Sequence, residues 1–332
     1  MVEVSTNKIY GVAFEDIQQA HQRIKGHVNM TPVMTFDYFD KLVPCKLHFK
    51  CESFQKTGSF KFRGAFNSVS KLVEKISPDD LSVLAHSSGN HGQALALAAK
   101  LCNVKANIVM PTNAPLCKVE AVKGYGATVI SCASTEKARE EKAKEVIKET
   151  NGYMVHSSQN PEVIAGQGTI ALEFLQQVPN LDAIVATVGG GGLLSGICLA
   201  AKALKPSIKI YAAEPEMADD CARSMKANRH LKNETYPDTV ADGLRVSIGE
   251  ATWPILRDHL DDVILVTEEE ICDNLRLVLE KAKLFVEPSA AVGVAAVRSS
   301  HFKRLIDEHQ LTQVGVVLCG GNIDADKLKT II

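Results

Sequence analysis

The sequence has a single tryptophan, few aromatics overall (5%), and no surplus of positive charge: 37 Lys and Arg stand against 39 Asp and Glu, a formal net charge of -2. No basic surplus is therefore available to neutralise a run of nucleic-acid phosphates, and no aromatics interleave with basic residues as a base-stacking groove requires. DNA and RNA are not expected partners. No uninterrupted apolar run is long enough to cross a bilayer, and Met1 to Gly11 lacks the basic start and apolar stretch of a signal peptide. A cytoplasmic protein that does not engage membranes is expected. Nine cysteines are an odd number, without a Cys-x-x-Cys pair or a His/Cys cluster at zinc spacing, so most are expected as buried thiols. Internal repeats and low-complexity linkers are missing as well.

What remains is an ordinary globular composition, 45% hydrophobic and 23% charged over 332 residues, long enough for two domains and a sizeable core. From about Leu81 onward a short apolar run, a turn and a helical stretch alternate. Strands are expected at Ser82 to His86, Ala106 to Met110 and Ala127 to Ser131. A second set follows at Ala183 to Val188, Ile208 to Ala213, Val263 to Val266 and Val314 to Cys319, with helices such as Leu193 to Leu204 and Glu268 to Lys283. This alternation predicts an α/β fold with parallel-rich sheets flanked by helices, in two layers. Glu136 to Glu149, rich in Lys and Glu, reads as a solvated outer helix.

Three segments carry chemistry. Gly189-Gly190-Gly191-Gly192 lies between a strand and a helix, where successive backbone N–H groups and the positive helix end converge on an anion. That placement favours a phosphate cup over a flexible linker, while the pattern matches neither nucleotide fingerprint, Gly-x-Gly-x-x-Gly or Gly-x-x-x-x-Gly-Lys-Ser/Thr. His86-Ser87-Ser88-Gly89-Asn90-His91-Gly92 packs hydroxyls, an amide and imidazoles at a second strand-to-helix junction. It suits a carboxylate, or equally a polar turn with an N-cap serine. Ser53 to Ala65 is dense in lysine and aromatics and follows the alternating strand Leu47, Phe49, Cys51. A lysine amine with a lowered pKa can form an imine with an aldehyde cofactor, and composition does not choose between Lys56 and Lys61.

Together Gly58-Ser59-Phe60-Lys61-Phe62-Arg63-Gly64-Ala65, Ser87-Ser88-Gly89-Asn90-His91-Gly92, the tetraglycine and Cys319-Gly320-Gly321-Asn322 resemble, in order and spacing, the serine racemase and serine/threonine dehydratase family, over about Phe14 to Asp324. The resemblance implies a two-domain fold-type II pyridoxal phosphate enzyme, similar to the tryptophan synthase β subunit. Its large domain would comprise 1–77 and 158–332 and its small domain 78–157, with the cofactor between them and a homodimer as the assembly. Lys61 would hold the cofactor as an imine, Phe60 and Gly243 flank its ring, and Asn90 bond its hydroxyl. Gly189, Gly190, Gly191, Gly192 and Leu193 would hold its phosphate, and Cys319 face the pyridine nitrogen, where serine racemases usually carry serine. A thiol is the poorer hydrogen-bonding partner. Racemisation needs a proton-transfer group on each face, Lys61 and Ser88 by the family pattern. The same carbanion can expel a β-hydroxyl, giving pyruvate and ammonia from serine.

The resemblance further implies a magnesium, calcium or manganese ion at Glu214, Ala218 and Asp220, where carboxylates and a carbonyl supply hard oxygen donors. It also aligns Lys56, Thr57 and Lys283 with a nucleotide site. Phe36 and Asp37 replace small hydroxyls there and Gln18 replaces an acid, and the added aspartate repels a triphosphate, which weighs against ATP as an activator. The substrate is expected to be a small amino acid held by Ser87, Ser88, Asn90, His91, Arg139, Ser157 and Ser158. Serine is the first expectation. Aspartate is the alternative, on the grounds of the Ser157-Ser158 pair, of Arg139 and Arg245, and of Val246 where the serine-specific pattern has serine. A β-replacement synthase is disfavoured by the Ser-Ser-Gly-Asn-His-Gly form. A non-catalytic nucleotide or amino-acid binding module is disfavoured by the intact Lys61 and phosphate cup.

Overall fold

In the computed structural model of the chain, residues 9–87, 89–114 and 116–332 are described, without the side chains of Cys117 and Glu136. The strands are β1 (Val33–Met34), β2 (Lys46–Cys51), β3 (Ser82–His86), β4 (Lys105–Pro111), β5 (Thr128–Cys132), β6 (Tyr153–Met154), β7 (Ala183–Thr187), β8 (Lys209–Pro215), β9 (Asp262–Val266) and β10 (Gln313–Leu318). They form a six-stranded sheet in the order β1-β2-β10-β7-β8-β9 and a four-stranded sheet in the order β5-β4-β3-β6. Only the short β1 runs antiparallel to its neighbour. Parallel strands need long crossovers, here helices, and are covered on both faces. All five residues of β7 are accordingly buried.

The alternation in Leu47, Phe49 and Cys51 predicts a strand with one buried face, yet His48 and Lys50 are buried too. Lys50 tolerates this because Glu173 neutralises it at 2.8 Å. The expected helix Glu268 to Lys283 is α-helical only over Glu268–Leu277; Val278–Ala282 widens to a π-helical turn, and Lys283 ends it at φ 58°. The outer helix spans Glu136–Thr150, capped by the Thr135 hydroxyl accepting from the Ala138 N–H.

Three helices matter most for the site: the lysine helix (Lys61–Val73), the bridging helix (Pro161–Gln177) and the tetraglycine helix (Gly192–Leu204). The bridging helix is notched into both others. A Cβ on Gly166 would lie 2.5 Å from Gly64 Cα, and one on Gly64 2.6 Å from the Val163 carbonyl. At the other crossing, a Cβ on Gly196 would lie 2.5 Å from the Gly168 nitrogen and one on Gly168 2.8 Å from the Gly196 carbonyl. Backbone meets backbone at both crossings, so the bridging helix sets the spacing between the helices that carry Lys61 and the tetraglycine.

Candidate active site

β2, β10 and β7 lie side by side, and their C-terminal ends lead into the segments that the sequence singles out. Crevices at the carboxyl ends of parallel strands are the usual ligand sites of such sheets. A β-bridge joins Ser59 to Gly320, the Phe60 N–H donates to the Cys319 carbonyl at 3.1 Å, and the Gly321 N–H to the Gly58 carbonyl at 2.9 Å. The first and last motifs, some 260 residues apart, thus form one unit.

Lys61 opens its helix with its amine donating to the Ser157 carbonyl at 3.1 Å and lying 4.9 Å from the centre of the Phe60 ring. The residue keeps part of its surface toward the cleft, but protein surrounds the amine closely enough that burial lowers its pKa to about 8, against an opposing pull from Cys319 and Glu287. A useful fraction of the amine is then neutral near neutral pH. Lys56 instead sits in the turn Lys56–Gly58 with its amine 5.8 Å from the Phe62 ring.

The tetraglycine lies where β7 passes into its helix. Gly191 has φ 84°, a conformation that favours glycine, and a Cβ on Gly190 would lie 2.4 Å from the Ser158 hydroxyl oxygen. A Cβ on Gly192 would come 2.8 Å from Ser158 Cα. Leu193 follows, buried, in the first turn of the helix. Gly243, in the single turn Asp242–Leu244, donates its N–H to the Ser289 hydroxyl at 3.0 Å, and a Cβ there would approach that oxygen to 2.8 Å.

Across from Lys61 is a residue that the motifs do not mark. Glu287 is buried, accepts from Asn90 Nδ2 at 2.8 and 3.1 Å and from the Asn322 N–H at 3.2 Å, and its pKa rises to about 7 through burial and the nearby Asp242 charge. Asn322 Nδ2 donates to Asn90 Oδ1 at 2.8 Å and to the Thr57 carbonyl at 2.7 Å. Glu287 stands before Pro288 at a helix start, which in sequence reads as an ordinary acidic first turn. Cys319 is buried beside the Thr187 hydroxyl, and burial with Glu287 pushes its thiol well up, so it stays protonated.

From the four-stranded sheet come Ser87, whose hydroxyl accepts from the Gly89 N–H at 3.3 Å, and Asn90 and His91 at the start of the helix Asn90–Leu101. Ser88 lies outside the described residues. His91 Nε2 meets the Val155 carbonyl at 2.7 Å, and burial with the Lys61 charge lowers its pKa to about 3. His156 is lowered to about 4 by burial and by His86; its Nδ1 accepts from the Ser158 and Gln159 N–H groups, each at 3.2 Å. Both rings are therefore neutral and fix the 155–159 backbone, where Ser157 and Ser158 lie. Arg139 is placed differently: it lies on the outer helix with its charge near the Cys132 thiol. Among the described residues no polar contact joins it to the Lys61 group.

Glu214 is the penultimate residue of β8 and Asp220 opens the helix Asp220–Ala227, with Ala218 in the turn between them. Both acids are buried. Glu214 accepts from the Cys221 and Ala222 N–H groups, each at 2.9 Å, and Asp220 from Asn233 Nδ2 at 2.7 Å and the Ile248 N–H at 2.8 Å. Burial and the Asp220 charge raise Glu214 well above its ordinary range, and burial raises Asp220 to about 6. Among the described residues no three His, Cys, Asp or Glu side chains group around a metal position. Two buried carboxylates beside a carbonyl, which form no salt bridge among the described residues, nonetheless fit a hard divalent ion. Thr57 turns at φ 60°, and the Lys283 amine donates to the Glu280 carbonyl; among the described residues no hydrogen bond joins Lys283 to the Lys56–Thr57 turn.

A phosphorylated pyridine aldehyde needs a partly neutral amine, a concave set of N–H donors at a helix start, and flat walls for a ring. Lys61 meets the first need, the side-chain-free tetraglycine at its helix start the second, and the Phe60 ring beside the Lys61 amine offers a flat surface for the third, so the residues fit pyridoxal phosphate.

The comparisons agree. The model of the pyridoxal-phosphate dependent enzyme family matches residues 24–320. Human serine racemase is 51% identical over 320 residues, covering 95% of this chain and 92% of the human protein. The structure of maize serine racemase matches with a TM-score of 0.92 at 44% identity over 97% of each chain. That of a pyridoxal 5'-phosphate-dependent aspartate racemase matches with a TM-score of 0.92 at 40% identity, covering 96% of this chain and 98% of the other. No helix among the described residues is long and apolar enough to cross a membrane. With a family model spanning most of its length, and a lysine amine and glycine-lined helix start that suit the cofactor, this chain belongs to the pyridoxal-phosphate dependent enzymes.

Proposed function

We propose that the protein interconverts L- and D-serine and, as a side reaction, eliminates serine to pyruvate and ammonia. The observation that carries this reading is the Lys61 amine, its pKa lowered to about 8 by burial, set between Phe60 and the Ser157 carbonyl in a chain 51% identical to human serine racemase. When bound, the cofactor supplies an electron sink for the carbanion left at the α-carbon. Lys61 moves the α-proton on one face and the Ser88 hydroxyl on the other, since two faces require two groups. Gly189 to Leu193 hold the phosphate through backbone N–H groups at the helix start. Asn90, tethered by Asn322, bonds the ring hydroxyl, with Phe60 and Gly243 as the walls of the ring site. Cys319, kept a neutral thiol, places no charge beside the ring nitrogen and so restrains the sink. Residues 78–157 act as a small domain whose closure excludes water. A magnesium, calcium or manganese ion at Glu214, the Ala218 carbonyl and Asp220 relieves the repulsion between the two acids, and the chain works as a homodimer.

Aspartate is the second reading, favoured by the match to the aspartate racemase structure and by Ser158 packed against Gly190 and Gly192 at the edge of the cup. The protein, supplied with pyridoxal phosphate and magnesium, is incubated with L-serine or L-aspartate, and enantiomers and keto acid are quantified by chiral chromatography. D-serine with pyruvate supports the first reading; predominant D-aspartate replaces it with the second. Lys61→Ala should abolish both violet absorbance and turnover, and retained turnover would reassign the reacting amine.

A further inference from the structure

Arg63 follows Lys61 by two residues in the lysine helix, and its guanidinium is completely buried. Two residues on an α-helix differ by about 200° of rotation, so Arg63 leaves the helix on the side opposite Lys61. Its donors meet two carboxylates. Nε donates to Glu52 Oε2 at 2.8 Å and Nη2 to Glu52 Oε1 at 2.9 Å; Nη1 and Nη2 donate to the Glu173 oxygens at 2.7 and 2.8 Å. Lys50 completes the group, donating to Glu173 Oε2, the Thr31 carbonyl and Gln177 Oε1, each at 2.8 Å. Two cations and two anions cancel. The cluster ties β2 and the turn after it to the lysine helix and the bridging helix, and among the described residues no hydrogen bond links it to the Lys61 amine.

An apolar cluster of the same volume would hold these elements together at least as well, because burying charges costs desolvation. What apolar contact does not provide is direction. A guanidinium forked onto two planar carboxylates fixes an orientation. The glycine notch between Gly64 and Gly166 sets how close the two helices come, and leaves rotation of the lysine helix about its own axis to be fixed by something else.

We propose that Arg63 is a positioning residue for the reaction: clamped by Glu52 and Glu173, it fixes the rotation of the lysine helix and thereby the place of Lys61 Nζ relative to the tetraglycine. This rests on the reading of Lys61 as the reacting amine, which Lys61→Ala tests separately. The double substitution Arg63→Met with Glu52→Gln removes one cation and one anion, leaving Lys50 and Glu173 paired and the interior neutral. Unfolding temperature, kcat and KM for both serine enantiomers, and the pH midpoint of the violet absorbance of the cofactor-loaded protein are measured. The expected result is an unfolding temperature close to that of the unmodified protein, kcat lower by on the order of 10²-fold with KM little changed, and a displaced absorbance midpoint. Arg63→Lys keeps the charge but not the fork and is expected to share the kcat loss and the displaced midpoint; it carries the same readouts if the double variant does not fold. Unchanged kcat and midpoint in a folded variant would overturn the proposal, as would a kcat loss wholly accounted for by the fraction unfolded. Retained turnover in Lys61→Ala would instead sink the reading of Lys61, whatever Arg63 does.

Discussion

Substituting Gly196→Ala should disturb the active site from a position that touches none of its ligands. The new Cβ would lie 2.5 Å from both the Gly168 nitrogen and the Ile164 carbonyl oxygen, about 0.9 Å short of the 3.4 Å at which ordinary contact begins. Both are backbone atoms, so no side-chain rotation relieves the clash, and the tetraglycine helix must move off the bridging helix. Overpacking of this kind costs ~1–3 kcal/mol, against which alanine returns about 1 kcal/mol of helix propensity. The net loss of stability is therefore small, and the protein should fold. The displaced helix carries the phosphate cup, however, and a shift near 1 Å at a reacting centre costs on the order of 10²-fold in rate. Cofactor affinity is read by absorbance titration, kcat/KM by chiral assay, and stability by calorimetry. The expected pattern is a modest fall in unfolding temperature with a large fall in affinity and kcat/KM. Gly124→Ala, where a Cβ meets nothing within 4 Å, serves as the control and should change neither. If Gly196→Ala binds cofactor and turns over like the control, the bridging helix does not set the spacing of the site.

Glu287→Gln keeps the shape of a side chain that accepts from Asn90 and Asn322 but removes a charge that raises the Lys61 pKa. The pH midpoint for reaction of the Lys61 amine with pyridoxal phosphate should therefore fall below about 8; an unchanged or higher midpoint refutes the electrostatic link. The same acid has a folded-state pKa of about 7, above its ordinary value of 4.5, so the folded chain binds that proton more tightly than the unfolded one. Its contribution to stability is fully present below pH 4.5 and is lost as pH rises through about 7. Unfolding free energy should accordingly fall more steeply over that window in the unmodified protein than in Glu287→Gln, which denaturant titrations at several pH values will show. Chelation should lower the unfolding temperature and magnesium restore it, by mass action on the folded state. Asp220→Asn should blunt that response; an identical chelator effect in the variant would place the ion elsewhere.

Much of this is legible in the sequence alone. Strand β3 spans the predicted Ser82 to His86, and β4, β5, β7, β8, β9 and β10 fall within one or two residues of their predicted ends, because buried parallel strands are continuous apolar runs bounded by turns. The lysine, the tetraglycine and the Cys319 segment were legible because each is a local motif. Glu287 and Glu173 were not. Each is a single acid in an unremarkable helical context, and its significance comes only from what tertiary packing places against it. The same holds for Lys50, whose position in an alternating strand implies solvent while Glu173, 123 residues later, makes its burial tolerable.

The order of the six-stranded sheet carries a consequence for how the molecule comes into being. β10, the last of the ten strands in chain order and so made after both of its neighbours, is not an edge strand but sits between β2 and β7, pairing with both. Until it arrives, the two strands that lead to the lysine and the tetraglycine have no shared neighbour, and their facing hydrogen-bond edges stay open to any other extended chain. The cofactor site is thus completed only after β10 has followed the other nine strands. Acquisition of violet absorbance during translation would time the insertion of that central strand, and chains halted before Leu318 should lack that absorbance and be prone to associate.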